Sequence, residues 1–252
     1  MAEEHSANAA AAETETLQEE PADDGSMSLT KHLEELRNRI IRSLQAIAVG
    51  SAISYFYIEQ IIEYLTKPAG KLYYMQPAEA FFTYLKVAIL SGFLLALPVV
   101  FYHVWRFFLP ALTRKERAVL AILVPISVLL FFLGLAFSFY LVLPIGIKFF
   151  IGFTTDNLQA LFSIEKYFDF LITFVLPFGF VFELPLIITI LGKMGIVTSE
   201  FLKKYQGIVI FSTFVIGAVV TPPDVISQCM LAVPMIALYE VGYFVVKYIL
   251  RK

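Results

Sequence analysis

Carboxylates placed among basic side chains are the residues of this sequence that could bind a cationic ligand. Glu35 is followed by Arg37. It also lies four residues from both Lys31 and Arg39, which places it for an ion pair with either within a helix. Glu116 has a basic residue on each side. Acids in such surroundings commonly form exposed ion pairs that contribute little to stability. Two carboxylates on one surface would instead bind an incoming guanidinium group through paired hydrogen bonds. The spacing alone leaves both interpretations open.

One carboxyl group interrupts an otherwise apolar stretch later in the chain. Glu183 lies within the run Phe170–Leu191, between Asp169 and Lys193. An ionisable group deep in a membrane is costly unless water or a polar partner is supplied, which makes it a functional candidate. The plainer alternative is a carboxyl group satisfied by a neighbouring helix. We expect Glu183 to lie near the middle of a membrane and to take a direct part in the function of the protein.

Two polar residues stand at the start of the last apolar segment. Asp224 follows a pair of prolines, and we expect its side chain to cap the next helix by accepting a backbone hydrogen bond. A functional contact of Asp224 is compatible with that role. Gln228 comes one turn later and is a candidate hydrogen-bonding residue, either within the chain or towards another protein.

Catalytic and metal-binding signatures are absent from the sequence. It contains no HExxH or GxSxG motif and no Gly-rich phosphate loop. Its three histidines are scattered, and its one cysteine excludes an intramolecular disulfide. We therefore predict that the protein is no enzyme, holds no metal or cofactor and binds no nucleic acid.

The composition indicates that a lipid bilayer is the solvent of these residues. Hydrophobic residues make up 59% of the 252 positions and charged residues only 16%, against about 25% charged in soluble proteins. A full crossing needs about 20 mostly apolar residues in a helix. Six such runs predict an all-α integral membrane protein: Ile40–Ile58, Val87–Trp105, Val119–Ile147, Phe170–Leu191, Gln206–Thr221 and Val225–Val246. The last two are short and should thin the bilayer locally.

The distribution of Lys and Arg predicts the orientation of these spans. With the N-terminus inside, fourteen of the 19 basic residues lie on one face and five on the other, which favours both termini in the cytoplasm. The outer connections are then residues 59–86 and 148–169. We expect a concave bundle with short interfacial cap helices in these connections, at two amphipathic stretches: Phe81, Phe82 and Leu85 beside Lys86, and Leu158, Leu161, Phe162 and Ile164.

The N-terminal region differs in charge from the rest of the chain. Residues 1–27 contain eight acids and no Lys or Arg. That stretch lacks the basic and apolar regions of a secretory signal, so we expect a disordered extension there. The membrane domain is predicted to cover residues 28–252.

Four segments have a distinctive order and spacing: His32–Arg39, Val104–Leu112 leading to Glu116 and Arg117, Phe178–Pro185, and Thr221–Gln228 followed by Pro234 and Met235. Together these segments resemble the TatC subunit of the twin-arginine protein translocase. The resemblance covers about residues 29–246, essentially all of the membrane body. The resemblance implies the core receptor of a machine in the bacterial cytoplasmic (inner) membrane that exports folded proteins using the proton-motive force.

The resemblance also implies roles for individual residues. Glu35 and Glu116, supported by Arg37, would recognise the paired arginines of a signal peptide. Glu183 would contact the inserted signal peptide or the transmembrane helix of a TatA-type partner. The remaining implied contacts are the docking of TatA- or TatB-type single-span proteins at Asp224 and Gln228, and contacts between copies of the chain in a larger complex at Pro68, Phe81 and Phe82.

Two other functions remain open at this point. A secondary transporter would use Glu183 as its coupled carboxylate, although the sequence shows no convincing internal repeat. A structural membrane scaffold would explain polar docking positions but not the acidic residues of the cytoplasmic rim. Arginine-dependent peptide binding separates the receptor from both alternatives.

Overall fold

The computed structural model describes residues 29–108, 117–152, 154–155, 161–220 and 224–251 of the chain. Contacts divide the chain into two units at Arg39 and Ile40. The predicted acidic extension, residues 1–27, lies outside the described residues. The described helices are α1 (Leu29–Phe56), α2 (Ile58–Thr66), α3 (Pro77–Phe108), α4 (Arg117–Phe137), α5 (Leu143–Ile151), α6 (Ile164–Phe182), α7 (Leu184–Lys193), α8 (Ser199–Val220) and α9 (Val225–Phe244), with π-helical turns at Ser138–Val142 and Val245–Ile249.

Helices account for all regular structure in the described residues, as the apolar runs predict. Five candidate membrane spans are Pro77–Phe107, Leu120–Ile151, Ile164–Lys193, Ser199–Val220 and Val225–Ile249. The first predicted span, Ile40–Ile58, lies largely in α1 but is not among the five. Polar side chains such as Arg42 and Gln45 lower the mean hydropathy of that helix. Six spans and the orientation of the termini therefore remain predictions.

The last two candidate spans are the shortest of the five, with 22 and 25 residues against 30 to 32 for the others. A helix of 22 residues is about 33 Å long, enough to cross a hydrocarbon core of about 30 Å. Both helices extend beyond their apolar segments, α8 back to Ser199 and the other span forward to Ile249. Helix length therefore gives no support to the prediction that they thin the bilayer.

The helix α6 forms the centre of the second unit. Half of the apolar window in its span is buried, against 11% to 33% in the other four. The side chains of Phe168, Phe174 and Phe178 are almost completely buried. They pack with apolar residues of α2, α3, α5 and α9 in one core cluster. Positions on α6 are consequently fixed by packing from several sides.

Glycines allow α4 and α6 to approach closely. A Cβ atom at Gly179 of α6 would lie 2.6 Å from the ring of Phe131, which is itself fully buried. A Cβ atom at Gly134 of α4 would overlap the backbone carbonyl oxygen of Phe178. The segment Phe178–Pro185 is thus a packing motif as well as the carrier of Glu183.

Replacing Gly134 with Ala should destabilise the protein by about 1–3 kcal/mol, because a backbone carbonyl cannot move aside and the helices must separate. The matched control is Gly207→Ala in α8, where nothing lies within 4 Å of the added atom. The control should gain up to about 1 kcal/mol of helix propensity. Thermal unfolding of both variants in detergent checks this, and equal stability of the two would contradict the close approach.

The two long connections differ from their predicted form. Phe81, Phe82 and Leu85 belong to the first turns of the 32-residue helix α3 and not to a separate interfacial helix. Continuous apolar and helix-favouring residues let α3 begin at Pro77, where proline suits a first turn. The short helix of that connection is α2 instead. In the second stretch Leu158 lies outside the described residues, Leu161 and Phe162 are not helical, and Ile164 starts α6.

Contacts that the sequence did not reveal fasten these two connections together. The backbone amide of Tyr73 donates to the carbonyl oxygen of Phe162 at 3.0 Å. The backbone amide of Ile164 donates to the carbonyl oxygen of Tyr73 at 2.7 Å. The hydroxyl of Ser163 donates to Glu79 at 2.9 Å. These bonds hold the start of α6 against the segment that leads into α3.

Candidate functional site

The predicted signal-peptide carboxylate Glu35 lies on α1 in an ion pair. The Nε of Arg39 donates to Oε1 of Glu35 at 3.1 Å, and a terminal guanidinium nitrogen of Arg39 contacts the same oxygen. This is the pairing at i+4 that helix geometry predicts. Arg39 is only 8% exposed, whereas the side chain of Arg37 is exposed. The arrangement shows that Glu35 already accepts a guanidinium group of its own chain.

Glu116, the second predicted carboxylate, lies outside the described residues. The structure therefore gives no distance from Glu116 to Glu35. The described part of its surroundings begins at Arg117, the first residue of α4. A joint guanidinium site made by the two carboxylates remains a prediction.

Glu183 occupies a break between α6 and α7. Pro185 cannot donate a backbone hydrogen bond, and its ring clashes with the carbonyl four residues back, so it breaks the helix. The amide of Glu183 accordingly bonds to the carbonyl of Phe180 at 3.1 Å in a tighter turn. The helix resumes where the amide of Ile187 donates to the carbonyl of Glu183 at 2.9 Å. The proline thus places the carboxyl group at a helix kink inside a candidate span.

The side chain of Glu183 is buried in a polar pocket that sequence reasoning missed. The residue is 4% exposed, and neither carboxylate oxygen is hydrogen-bonded in the described part of the chain. The hydroxyl of Ser127 in α4 lies beside the carboxylate but outside hydrogen-bond geometry. That hydroxyl accepts a hydrogen bond from Nε1 of Trp105 in α3 at 2.8 Å. Two sequence features could have indicated this contact: Ser127 is a polar residue in an apolar helix, and Trp105 is the one tryptophan of the sequence.

Asp224 caps α9 as predicted. Its Oδ1 accepts a hydrogen bond from the amide of Ser227 at 2.7 Å, and its backbone is extended. The side-chain amide nitrogen of Gln228, Nε2, donates to the backbone carbonyl oxygen of Phe214 in α8 at 2.8 Å. The intramolecular alternative for Gln228 is therefore confirmed, and both residues stabilise the α8–α9 hairpin. A docking role for either residue remains a prediction.

Replacing Asp224 with Ala should cost about 0.5–2 kcal/mol through loss of the cap. Asp224→Asn is the matched variant, because asparagine caps helices as well as aspartate but carries no charge. Thermal unfolding should therefore separate Ala from Asn, with Asn close to the wild type. Equal destabilisation by both variants would show that the charge and not the cap stabilises the hairpin.

The three residues predicted to contact another copy are near or at the surface. Phe81 and Phe82 are 62% and 54% exposed and pack edge to face with ring centres 5.5 Å apart. Pro68 follows α2 and is half-buried. Exposed aromatic side chains next to each other fit a contact surface or a lipid-facing position equally well.

The sequence matches a family model described as "Sec-independent protein translocase protein (TatC)" over residues 31–234. A TatC protein of Desulforapulum autotrophicum is 43% identical over 84% of this chain and 82% of its own length. One of Carboxydothermus hydrogenoformans is 39% identical over 91% of this chain and 97% of its own. A crystal structure titled as the twin-arginine translocase receptor TatC superposes with a TM-score of 0.78 at 36% identity, covering 86% of this chain and 98% of the other.

Proposed function

We propose that this chain, which belongs to the TatC family of Sec-independent protein translocase proteins, is the core receptor of a twin-arginine translocase. The observation that carries this function is the family match over residues 31–234. It includes every residue to which we assigned a site. The protein is thus a translocase component and not an enzyme, and the transporter alternative has no support in these comparisons.

We infer that Glu35 and Glu116 form the site for the paired arginines of a signal peptide, with Arg37 beside them. The ion pair of Glu35 with Arg39 supports this proposal, because it demonstrates the geometry for accepting a guanidinium group. A second guanidinium group would share the carboxylate or displace Arg39. Arginine suits such a site better than lysine because its planar fork makes two parallel hydrogen bonds.

We further propose that Glu183 meets a polar group of the inserted signal peptide or of a TatA-type transmembrane helix. The support is a buried carboxyl group without a hydrogen bond, since such a group costs free energy unless a partner satisfies it. The hydroxyl group of Ser127, which accepts a hydrogen bond from Trp105, is a second polar group beside this carboxyl group. An incoming polar side chain would complete the hydrogen bonding of the pocket.

Docking of TatA- and TatB-type single-span proteins is proposed for the α8–α9 hairpin, at Asp224 and Gln228. The Asp224 cap orders the start of α9, and the hydrogen bond of Gln228 joins α9 to α8. Together they hold the hairpin in a fixed conformation against which a partner helix can pack. Contacts between copies of the chain are proposed at Pro68, Phe81 and Phe82. We place the protein in the cytoplasmic (inner) membrane, with six spans and both termini in the cytoplasm, as the distribution of basic residues predicts.

Photo-cross-linking tests the receptor function directly. A twin-arginine signal peptide carrying a photoreactive group beside its arginines is bound to the purified protein, and labelled positions are mapped by mass spectrometry. We expect labels in residues 29–39 and 109–117. A peptide with the two arginines replaced by lysines is the control. Labels confined to other segments, or equal labelling by both peptides, would contradict the proposed site.

A further inference from the structure

Two adjoining cavities lie where α2, α3, α4 and α6 meet near one end of the spans. The larger has a volume of about 490 Å³ and is lined by apolar side chains of all four helices, among them Leu65, Leu94, Phe132 and Leu171. The smaller, of about 340 Å³, is lined by Lys67, Pro68 and Pro144 together with residues shared with the first. A volume of this size is typical of a pocket for a small molecule.

Two tyrosines form the boundary between the cavities. Tyr64 and Tyr140 line both, and their hydroxyl groups hydrogen-bond to each other. Both side chains are exposed, at 44% and 62%. Tyrosine concentrates at membrane–water interfaces because its ring is apolar and its hydroxyl is polar. The pair therefore lies at the boundary between a cavity lined almost entirely by apolar side chains and one that includes the charged side chain of Lys67.

The depth of the larger cavity matches one leaflet of a bilayer. Along α4 and its π-helical turn it extends from Phe132 to Tyr140, a rise of about 12 Å. Half of a hydrocarbon core is about 15 Å thick. The ion pair of Lys86 with Asp169, at 2.8 Å, lies within one helical turn of the first lining residues of α3 and α6. The cavity thus begins directly below a polar boundary and runs towards the membrane centre.

The lining at the end of the cavities marked by Tyr64 and Tyr140 carries a positive charge, that of Lys67. Lys67 is exposed, with its ammonium nitrogen 5.2 Å from the ring centre of Tyr64. Among the described residues that line the two cavities, none is Asp or Glu. Basic pockets between transmembrane helices on the cytoplasmic or matrix side bind the head groups of anionic lipids, and the same attraction between an ammonium group and a phosphate operates on the outer side. An apolar slot one leaflet deep, with a lysine and two hydroxyl groups at its mouth, matches the parts of a phospholipid.

We propose that these cavities hold one anionic phospholipid, with an acyl chain in the larger cavity and the head-group phosphate at Lys67. Of the paired hydroxyl groups of Tyr64 and Tyr140, one donates to the other and the second donates to a phosphate or ester oxygen of the lipid. The lipid fills the space beside Pro68 and thereby fixes α2 against α3 and α4. With the orientation given under the proposed function, on which this point rests, the lipid lies in the outer leaflet of the membrane.

Lipid retention by the full-length protein, measured by native mass spectrometry, tests this site. The probes are phosphatidylglycerol and phosphatidylcholine with identical acyl chains. We expect the wild type to retain phosphatidylglycerol in preference. Lys67→Gln should lower that retention about fivefold, the contribution of one lysine near a charged lipid surface. Lys71→Gln is the control, because Lys71 is exposed nearby but lines neither cavity.

A second variant tests the acyl-chain part of the site. Ala136 lines the larger cavity, so Ala136→Trp should reduce retention of both lipids while Lys71→Gln reduces neither. Equal retention of the two lipids by the wild type, or an unchanged preference in Lys67→Gln, would overturn the head-group site. A changed number of copies in place of changed lipid retention would show that the cavities belong to an interface between copies. None of these measurements involves a signal peptide, so their failure is distinct from failure of the receptor function.

Discussion

Replacing Glu35 with Gln is expected to abolish the preference of the protein for paired arginines over paired lysines. The substitution removes one charge and one of two equivalent acceptors for a guanidinium fork. A hydrogen bond to a charged group contributes about 1.5–3 kcal/mol, so affinity for the arginine peptide should fall about 10- to 150-fold. Affinity for the lysine peptide should change less, because lysine does not use the fork geometry.

Gln is chosen at position 35 because it keeps an oxygen acceptor for the buried Arg39. The matched control is Glu34→Gln, which removes the same charge from an exposed neighbouring position of α1. Binding of both peptides is measured by fluorescence anisotropy at low and high salt, since exposed charge effects weaken with salt. Equal effects of the two substitutions would reduce the role of Glu35 to general electrostatic attraction.

Replacing Glu183 with Met should raise the stability of the protein and at the same time lower its cross-linking to the incoming helix. Methionine has a similar size and leaves no buried carboxylate oxygen without a hydrogen bond, so unfolding should become about 1–3 kcal/mol less favourable. The proposed contact with an incoming helix would be lost. Interhelical hydrogen bonds in membranes contribute about 0.6–1.7 kcal/mol, so cross-linking to that helix should fall about three- to eighteenfold.

Glu183→Gln is the informative companion of the methionine variant. It keeps hydrogen-bonding capacity and removes the possibility of charge, so it should retain most of the cross-linking if a hydrogen bond is what matters. Thermal unfolding and cross-linking are measured on the same preparations. A methionine variant that is less stable than the wild type, or one that cross-links normally, would contradict the proposed role of Glu183.

Local signals in the sequence predicted local structure well. The Asp224 cap and the pairing of Glu35 with Arg39 each depend on residues within four positions, and the structure confirms both. Long apolar runs likewise predicted helices, because a membrane leaves the backbone few alternatives. The exact ends were less predictable: α8 starts seven residues before its apolar segment, since helix propensity continues outside the bilayer.

Contacts between distant segments were not predictable from the sequence. Nothing in the pattern connects Tyr73 with Phe162, or Trp105 with Ser127, because each pair forms only after separate helices have packed. The environment of Glu183 is of the same kind. Its sequence position predicted burial in a span, but the kink made by Pro185 and the neighbouring serine came from the fold.

Equilibrium binding of a twin-arginine signal peptide to the purified wild-type protein tests the central claim most directly. A labelled peptide is compared with a variant in which both arginines are lysines, at one salt concentration and with no other protein present. The receptor function predicts saturable binding that is at least about tenfold tighter for arginine, a difference of about 1.4 kcal/mol. Equal affinity for the two peptides would contradict recognition of paired arginines by this chain.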